Sequence, residues 1–281
     1  MSAEPLVQCV PNFSEGRDSL TIDAIVGAGR VDGVRVADWS ADADHNRMVV
    51  TLVGPPDRVV AASIAMAEVA VAAIDLNKHE GAHPRLGALD VLPFVPLRDI
   101  DLADCAALAL QAAEEIARRL QLPIFLYEAA SSQGRSLPFV RKEAFVTLAP
   151  DFGPAQPHST AGAAVVGARG PLIAFNVDLG THDIRLARSI ARELRARYPG
   201  RVRALGLALA SRGIVQVSMN IVEPQSVSLL EVLAYIGERA PVLRGELIGA
   251  VPGYTAFDAL RSALRASELR PGQVLLENWP G

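Results

Sequence analysis

Short apolar runs alternate with longer amphipathic stretches throughout the first half of the chain. Apolar runs bounded by turn residues predict buried strands, and apolar positions recurring every three or four residues predict helices. The predicted strands are Leu6–Val10, Val34–Ala37, Met48–Val53, Val91–Val95 and Pro123–Tyr127, and the predicted helices are Ser19–Gly29, Asp57–Leu76 and Asp101–Leu120. The first half thus begins strand, helix, strand, strand, helix, strand, helix.

The second half repeats this order. Its predicted strands are Leu172–Val177, Ala204–Ala210, Ile214–Asn220 and Glu246–Val251, and its predicted helices are Thr181–Tyr198, Ser226–Ala240 and Ala256–Ser267. A hairpin turn at Ser211, Arg212 and Gly213 joins the middle two strands. This order is the split β-α-β plan written twice. It predicts an α/β (α+β) fold of two similar subdomains, each a mixed sheet with helices on its outer face.

The region from about Ala129 to Gly170 connects the two halves and is rich in Gly, Pro, Ser and Ala. It is too long for a plain connector, so we expect it to contribute to function. We place the subdomain boundary at its end, which gives an N-terminal subdomain of residues 1–168 and a C-terminal subdomain of residues 169–281.

Composition and charge narrow the function classes. Half of the 281 residues are apolar, 21% are charged and the net charge is -4, without a basic tail, so nucleic acid is a poor candidate partner. Cys9 and Cys105 form neither a disulfide framework nor a metal-binding motif. The apolar run Val59–Ile74 carries Glu68 and is too short to cross a membrane comfortably. With no signal-like N-terminus, these features predict a cytoplasmic protein with no membrane partner.

Two polar segments in the first half admit both structural and functional interpretations. Asn12–Arg17 can be explained as a helix entry, because Ser and Asp are favoured helix caps. Asp38–Arg47 contains three aspartates within seven residues, but it lacks the closing glutamate of a twelve-residue calcium loop, which excludes an EF-hand. A solvated turn and a substrate-facing loop both remain open for this second segment.

The most informative stretch runs from His79 to Pro96, where a polar loop precedes the apolar strand Val91–Val95. His83 and Arg85 are two residues apart, and Pro84 between them favours an extended backbone at His83. A polar loop anchored to a buried strand is a common location for chemistry. We therefore favour a catalytic or substrate-binding role for His83 over a purely structural one.

The spacing of His79 and His83 also raises the possibility of a zinc site. On a helix, this spacing would place both imidazoles on one face, but Gly81 and Pro84 disfavour a helix here. No third ligand is evident in the sequence. We therefore predict no metal site.

Four motifs in order along the chain resemble the glutamate formiminotransferases, which occur alone or as the first part of formiminotransferase-cyclodeaminase. They are V-P-N-F-S-E-G from Val10, D-A-D-H-N-R from Asp42, H-E-G-A-H-P-R-L-G-A-L-D-V-L-P-F-V-P from His79, and A-P-D-F-G-P from Ala149 with G-A-R after it. The resemblance extends from Val7 to about Pro252. Because this chain ends before any cyclodeaminase domain, we do not expect cyclodeaminase activity.

The resemblance implies transfer of a formimino group from N-formiminoglutamate to N5 of tetrahydrofolate, which acts as a co-substrate. It also implies two similar subdomains and a homodimer. The family's catalytic histidine corresponds to His83. Its folate-binding segment corresponds to Gly153–Gly162, which includes Pro154.

The other candidate residues follow from the chemistry of these substrates. Both substrates carry carboxylates, with which Arg47, Arg85 and Arg169 are candidates to pair. The amides of Asn12 and Asn46 can donate to and accept from the pterin or the amidine, and Asp42 completes the candidate binding set.

An imidazole with a pKa near neutrality can move the proton that the reaction requires. The chain departs from the family at Ala82 and Ser40, where relatives carry acidic residues, which leaves Asp38, Asp42 or Asp44 as candidate partners for the histidine. Two alternatives therefore stay open: a transferase of the same fold acting on another one-carbon donor, and a folate-binding protein without catalysis.

Overall fold

The structure is a computed structural model that describes residues 4–81, 84–209 and 212–263. The predictions that concern Ala82, His83 and Ser211, and the end of the last predicted helix, lie outside the described residues. The chain divides into two compact units, Met1–Gly170 and Pro171–Gly281.

The first unit contains seven strands and four α-helices among its described residues. The strands are β1 Leu6–Cys9, β2 Asn12–Phe13, β3 Arg35–Asp42, β4 Arg47–Gly54, β5 Leu89–Arg98, β6 Ile124–Glu128 and β7 Ala164–Ala168. The helices are α1 Ser19–Ala28, α2 Pro56–Ala73, α3 Leu102–Leu120 and α4 Leu137–Glu143, with a short 3-10 turn at Leu76–Lys78.

Local sequence accounts for where these helices begin. The side chain of Asp18 accepts hydrogen bonds from the first backbone amides of α1, and Asp101 and Asp104 form a reciprocal capping box at the start of α3. Pro56 opens α2, because proline is tolerated in the first helical turn, where its missing N–H would have no partner.

The first sheet is built around β1 and β2, which both pair with β4 on one side and β5 on the other. These pairings and β3–β4 are antiparallel, whereas β5–β7 and β7–β6 are parallel. The sheet is therefore mixed, as predicted. The strands β1/β2, β3, β4 and β5 follow the split β-α-β order, and β6 and β7 extend the sheet beyond it.

The first unit buries apolar side chains on both faces of its sheet. The larger cluster combines the apolar sides of α1, α2 and α3 with one face of the strands. On the opposite face, Phe125 and Val165 pack with Val140 of α4. Phe145 meets Phe125 edge to face with ring centroids 5.0 Å apart. The helices therefore do not all lie on one face, because α4 covers the β5–β7–β6 end of the other.

The second unit contains four strands and three helices among its described residues. They are β8 Ile173–Leu179, α5 Ile184–Arg197, β9 Val202–Leu209, β10 Ile214–Ile221, α6 Leu229–Gly237, β11 Val242–Ile248 and α7 Gly253–Ala263. The strand order is β11-β8-β10-β9. Both β8 and β9 are antiparallel to β10, so they are parallel to each other across it, and α5 connects them as the split β-α-β plan requires.

The α+β fold with two subdomain-like units is confirmed, and some details differ from the prediction. All three pairings of the second sheet are antiparallel, so that sheet is not mixed. Strand β3 continues through Asp38–Asp42 by pairing with β4, which reduces the predicted loop to the turn before Arg47. Strand β11 lies earlier than the predicted Glu246–Val251, and the predicted connector contains α4 and β7.

None of the helices in the described part of the chain combines the length and the apolar character needed to cross a bilayer.

Candidate functional site

The candidate site lies at the edge of the first sheet where β2 ends and β4 and β5 begin. Phe13 pairs with Met48 of β4 and with Leu89 of β5, so the start of both strands is level with the end of β2. This register brings Asn12, Arg47 and the loop before Leu89 to one place. Three of the sequence motifs, far apart along the chain, therefore meet at this edge.

Arg47 is half-buried here and is held by Asn12. Its Nη2 donates to Oδ1 of Asn12, whose Nδ2 donates in turn to the carbonyl of Val10 at 2.7 Å. The pKa of Arg47 is lowered to about 10, chiefly by burial and also by the positive charges of Arg141 and Arg85, while the charge of Asp90 opposes this shift. Arg47 remains a cation at neutral pH.

Asn46 connects three segments of the site. Its backbone is left-handed, with φ of 47°, a conformation that asparagine tolerates better than most residues. Its Oδ1 accepts from the Gly16 amide at 2.9 Å, and its Nδ2 donates to the Glu80 carbonyl at 2.9 Å. Asp42 stabilises the same turn by accepting from the His45 amide at 2.7 Å. Asn46 and Asp42 therefore both stabilise the turn that carries Arg47.

Arg85 belongs to the loop that precedes β5, which we call the central loop. Its side chain extends to the turn that carries Arg47. Its Nη2 donates to the His45 carbonyl at 3.1 Å, and its Nη1 lies 3.4 Å from the Asn46 carbonyl. The same Nη1 contacts the ring of His79, 2.8 Å from Nε2. The same Nη1 also contacts Nδ1 of the ring, and since a guanidinium only donates, the ring nitrogen that accepts from it carries no proton. Burial, and then the charge of Arg85, lower the pKa of His79, which favours the neutral ring.

Gly81 is required for this approach. A Cβ built on Gly81 would lie 2.4 Å from Nη2 of Arg85 and 2.4 Å from the His45 carbonyl oxygen. Both distances are far below van der Waals contact, so any side chain here would displace Arg85 or the turn. Steric hindrance thus explains why a glycine occupies this position of the H-E-G segment.

Asp90 anchors the loop that precedes β5. It is only 1% exposed, and its Oδ1 accepts from the Leu86 amide at 2.7 Å while Oδ2 accepts from Nη2 of Arg141. Burial lowers the pKa of Arg47 and of Arg85, and the negative charge of Asp90 opposes this shift in both. Asp90 belongs to the motif that begins at His79, whereas no sequence motif marks Arg141. Arg141 belongs to the short helix α4, and no local pattern connects it to a loop 51 residues earlier in the chain.

The C-terminal end of the segment Gly153–Gly162 packs against the central loop. Gly162 forms a bridge with Gly87, Ala88 donates to the Ala161 carbonyl at 2.9 Å, and Ala163 donates to the Leu86 carbonyl at 3.1 Å. Gly162 has a left-handed φ of 67°, and a Cβ there would lie 2.3 Å from the Leu86 carbonyl oxygen. The end of the predicted folate segment is therefore a neighbour of the central loop.

The beginning of that segment lies against β6. Gly153 also has a left-handed backbone, with φ of 83°, and a Cβ there would meet the Leu122 carbonyl oxygen at 2.6 Å. Pro154 follows it and is half-buried. Between them and Gly162, the ring Nδ1 of His158 accepts from the Ala161 amide at 3.1 Å and closes a tight turn.

Arg169 is separated from the other candidate arginines. Its amide donates to the Phe94 carbonyl at 3.0 Å, at the far end of the parallel pair β5–β7. Phe94 lies five residues beyond Leu89, or roughly 16 Å at about 3.3 Å per residue. The backbone of Arg169 therefore lies near the middle of β5, away from the end of the strand where Arg47 and Arg85 are found.

The predicted catalytic His83 lies outside the described residues, between the described Gly81 and Pro84. In residues 4–81, 84–209 and 212–263, no three His, Cys, Asp or Glu side chains are grouped so that they could hold a metal ion.

The fold and this edge of the first sheet define an α+β protein with a cationic, amide-rich cluster suited to small anionic molecules. The sequence profile of the formiminotransferase domain, N-terminal subdomain, matches residues 6–169. The chain belongs to the formiminotransferase family and is a transferase enzyme, which confirms the resemblance seen in its motifs.

Similar proteins match almost the whole chain. A glutamate formimidoyltransferase of Streptococcus pyogenes serotype M1 is 39% identical over 97% of this chain and 98% of its own length. One of Thermoplasma acidophilum is 36% identical over 96% of each chain. The formimidoyltransferase-cyclodeaminase of Sus scrofa is 38% identical over 90% of this chain but only 51% of its own length.

Proposed function

We propose that this enzyme transfers the formimino group of N-formiminoglutamate to N5 of tetrahydrofolate, with His83 as the general acid and base. The names of the similar proteins support glutamate as the group that carries the formimidoyl unit. The folate acceptor and the role of His83 follow from the resemblance of the H-P-R and A-P-D-F-G-P motifs to the family.

The cluster around Arg47 and Arg85 is the single observation that carries the proposal. Both proposed substrates are anions with carboxylate groups, and fixed guanidinium groups attract and orient such ligands. Arg47 is anchored by Asn12, and Arg85 by the carbonyls of His45 and Asn46. Both arginines are therefore pre-organised, which reduces the entropy lost when a ligand binds.

The proposed reaction needs one proton carrier. N5 of the folate attacks the amidine carbon, which forms a C–N bond and a tetrahedral intermediate. The bond from that carbon to the glutamate nitrogen then breaks, and the leaving nitrogen takes up a proton. His83 accepts the proton released by N5 and delivers it to the glutamate nitrogen, as an imidazole with a pKa near neutrality can do.

His79 is less suited to this duty because its ring already accepts a hydrogen bond from Arg85. It acts instead as a positioning residue for that guanidinium. Asn46 and Asp42 likewise hold the turn beneath Arg47 and Arg85. We assign the segment from Gly153 to Gly162, with Pro154, to folate, since its end packs against the loop that continues to His83.

The test is a direct assay with purified protein. Formiminoglutamate and tetrahydrofolate are mixed with the enzyme, and the formiminotetrahydrofolate formed is converted by acid to a methenyl derivative and read by absorbance. Turnover that requires both substrates supports the proposal. Tight folate binding without turnover would instead indicate a binding protein, and turnover with a different one-carbon donor alone would indicate a related transferase.

The homodimer and the cytoplasmic location stay predictions from the sequence. Sedimentation equilibrium of the purified chain tests the first, and a mass of one chain at micromolar concentration contradicts it. Fractionation of cells that express the chain tests the second.

A further inference from the structure

The carboxylate of Asp90 joins the central loop to helix α4. One oxygen accepts from the Leu86 amide at 2.7 Å, and the other accepts from the guanidinium of Arg141. Asp90 is almost completely buried, whereas 20% of the Arg141 side chain is exposed. Arg141 is thus fixed on its inner side by a buried anion while it keeps a surface that solvent, or a ligand, can reach.

Three guanidinium groups act on this one carboxylate. Arg141 touches it, while Arg47 and Arg85 interact with it electrostatically. The positive charge of Arg141 also acts directly on Arg47, so the three cations form one group. A carboxylate ligand placed beside this group would be attracted by all three cations.

The hydrogen bonds of Arg141 are also incomplete. Within the described part of the chain, its Nε–H is buried and has no acceptor. A buried donor without a partner costs stability, so such groups are retained where they serve another purpose. An arginine held by one carboxylate and open on another side is well arranged to receive a second carboxylate.

We propose that Arg141 binds a carboxylate of a glutamyl group, and that Asp90 is the residue that positions it. This inference rests on the proposed function and adds a substrate-binding residue to it. Glutamyl carboxylates occur on both the formimino donor and the folate acceptor. The experiment must therefore measure the two substrates separately.

The competing explanation is purely structural: the Asp90–Arg141 pair would only fasten α4 to the loop. Removing one member of a buried ion pair is destabilising in either case. The two explanations differ in what happens to ligand affinity in the folded protein. A structural pair changes the melting temperature, while a ligand-binding arginine changes the KM of one substrate.

The test compares Arg141→Gln, Arg141→Lys and the control Lys142→Gln. Lys142 is the next residue of the same helix, is exposed, and pairs with Glu143 at 3.1 Å, so its replacement removes an equal charge outside the cluster. We expect Arg141→Gln to raise the KM of one substrate about tenfold or more, as loss of a charged hydrogen bond does, with a smaller change in kcat. Arg141→Lys should restore part of the affinity, and Lys142→Gln should leave it unchanged.

A second readout does not depend on turnover. Calorimetric titration of free L-glutamate and of tetrahydrofolate into the wild type and Arg141→Gln measures binding alone. Weaker binding of either ligand by the variant supports the proposal, and the ligand affected identifies the source of the carboxylate. Unchanged affinity for both ligands, or a wild type that binds neither, overturns it. If the wild type binds but does not turn over formiminoglutamate, the proposed function fails while the role of Arg141 is still decided.

Discussion

His79 and His83 are four positions apart and have different expected duties. His79 is held by Arg85, its ring accepts a hydrogen bond, and its pKa is lowered by burial and by that guanidinium. His79 is therefore suited to hold the guanidinium group of Arg85 in position. His83, which stands between Ala82 and Pro84 in the sequence, is the histidine to which the family resemblance assigns the proton transfer.

The first prediction separates these duties. His83→Ala should lower kcat by about a hundredfold or more, because the leaving nitrogen then has no proton carrier. The pH profile of kcat should also lose the limb that the imidazole contributes. His79→Ala is the control and should lower kcat less. Its main effect should be on KM, because Arg85 loses the contact with the His79 ring that holds it in place. A folded His83→Ala protein with near-normal kcat removes His83 from the mechanism.

The second prediction concerns the pH dependence of stability at His79. Its pKa is lowered from 6.5 in the folded protein, so below that pH the unfolded chain binds more protons than the folded one. Stability should therefore rise with pH toward about 6.5 and be lost as the pH falls below it. Urea unfolding of the wild type and His79→Gln across this range measures the effect. The variant should show a weaker dependence, and an identical slope for both proteins contradicts the prediction.

Single residues of the site could be predicted from the sequence only where a local pattern marked them. Arg47 and Arg85 stand in compact polar motifs, and the structure brings them together. Arg141 is marked by no motif and reaches Asp90 only through the packing of α4. Charge alone relates Arg169 to the other candidate arginines, and the register of β5 and β7 separates its backbone from them. Pairing across a sheet is not encoded in local spacing.

At the scale of elements, the central loop depends on a close backbone approach by Gly162. The third prediction is that Gly162→Ala lowers the free energy of unfolding by about 1–3 kcal/mol or more, because the left-handed backbone is strained for alanine and its Cβ clashes with Leu86. Folate affinity should fall as well, since the loop must move. Chemical denaturation and folate titration measure the two effects.

Gly134→Ala is the matched control for this change. Gly134 also has a left-handed φ, of 59°, but a Cβ there would meet nothing within 4 Å. It therefore carries the same backbone strain without the clash. An equal loss of stability in both variants, with folate affinity intact in Gly162→Ala, would show that the close approach of Gly162 is unimportant.

Most elements followed from hydrophobic patterning, and the exceptions have physical reasons. Strand β3 extends through Asp38–Asp42 because its backbone pairs with β4, although three of these five side chains are polar and none of the five is buried. An edge strand of this kind lacks the apolar run that predicts a strand. Helix α4 is too short to show helical periodicity, and β7 lies in a region dominated by small residues, so both were included in the connector.

At the scale of the whole molecule, net charge is a poor guide to the site. The chain carries a net charge of -4, yet Arg47, Arg85 and Arg141 gather around one buried carboxylate. The overall charge argues against nucleic acid as a partner, whereas the local excess of cations favours small anions. The repeated order of elements predicted two units with similar topology. It could not predict which loops would meet at one sheet edge, because that depends on strand register.

The last prediction tests whether the two units are separate energetic entities. Ile116 is fully buried in the core of the first unit, and Ile190 is fully buried in the core of the second. Each Ile→Ala substitution should lower the free energy of unfolding by about 2–5 kcal/mol, from lost burial and the cavity left behind. Because the two side chains belong to different clusters, the costs should add in the double variant to within about 0.5 kcal/mol. Denaturation of the wild type, both single variants and the double variant gives the coupling free energy, and a value well above that limit would mean that the two cores are not independent.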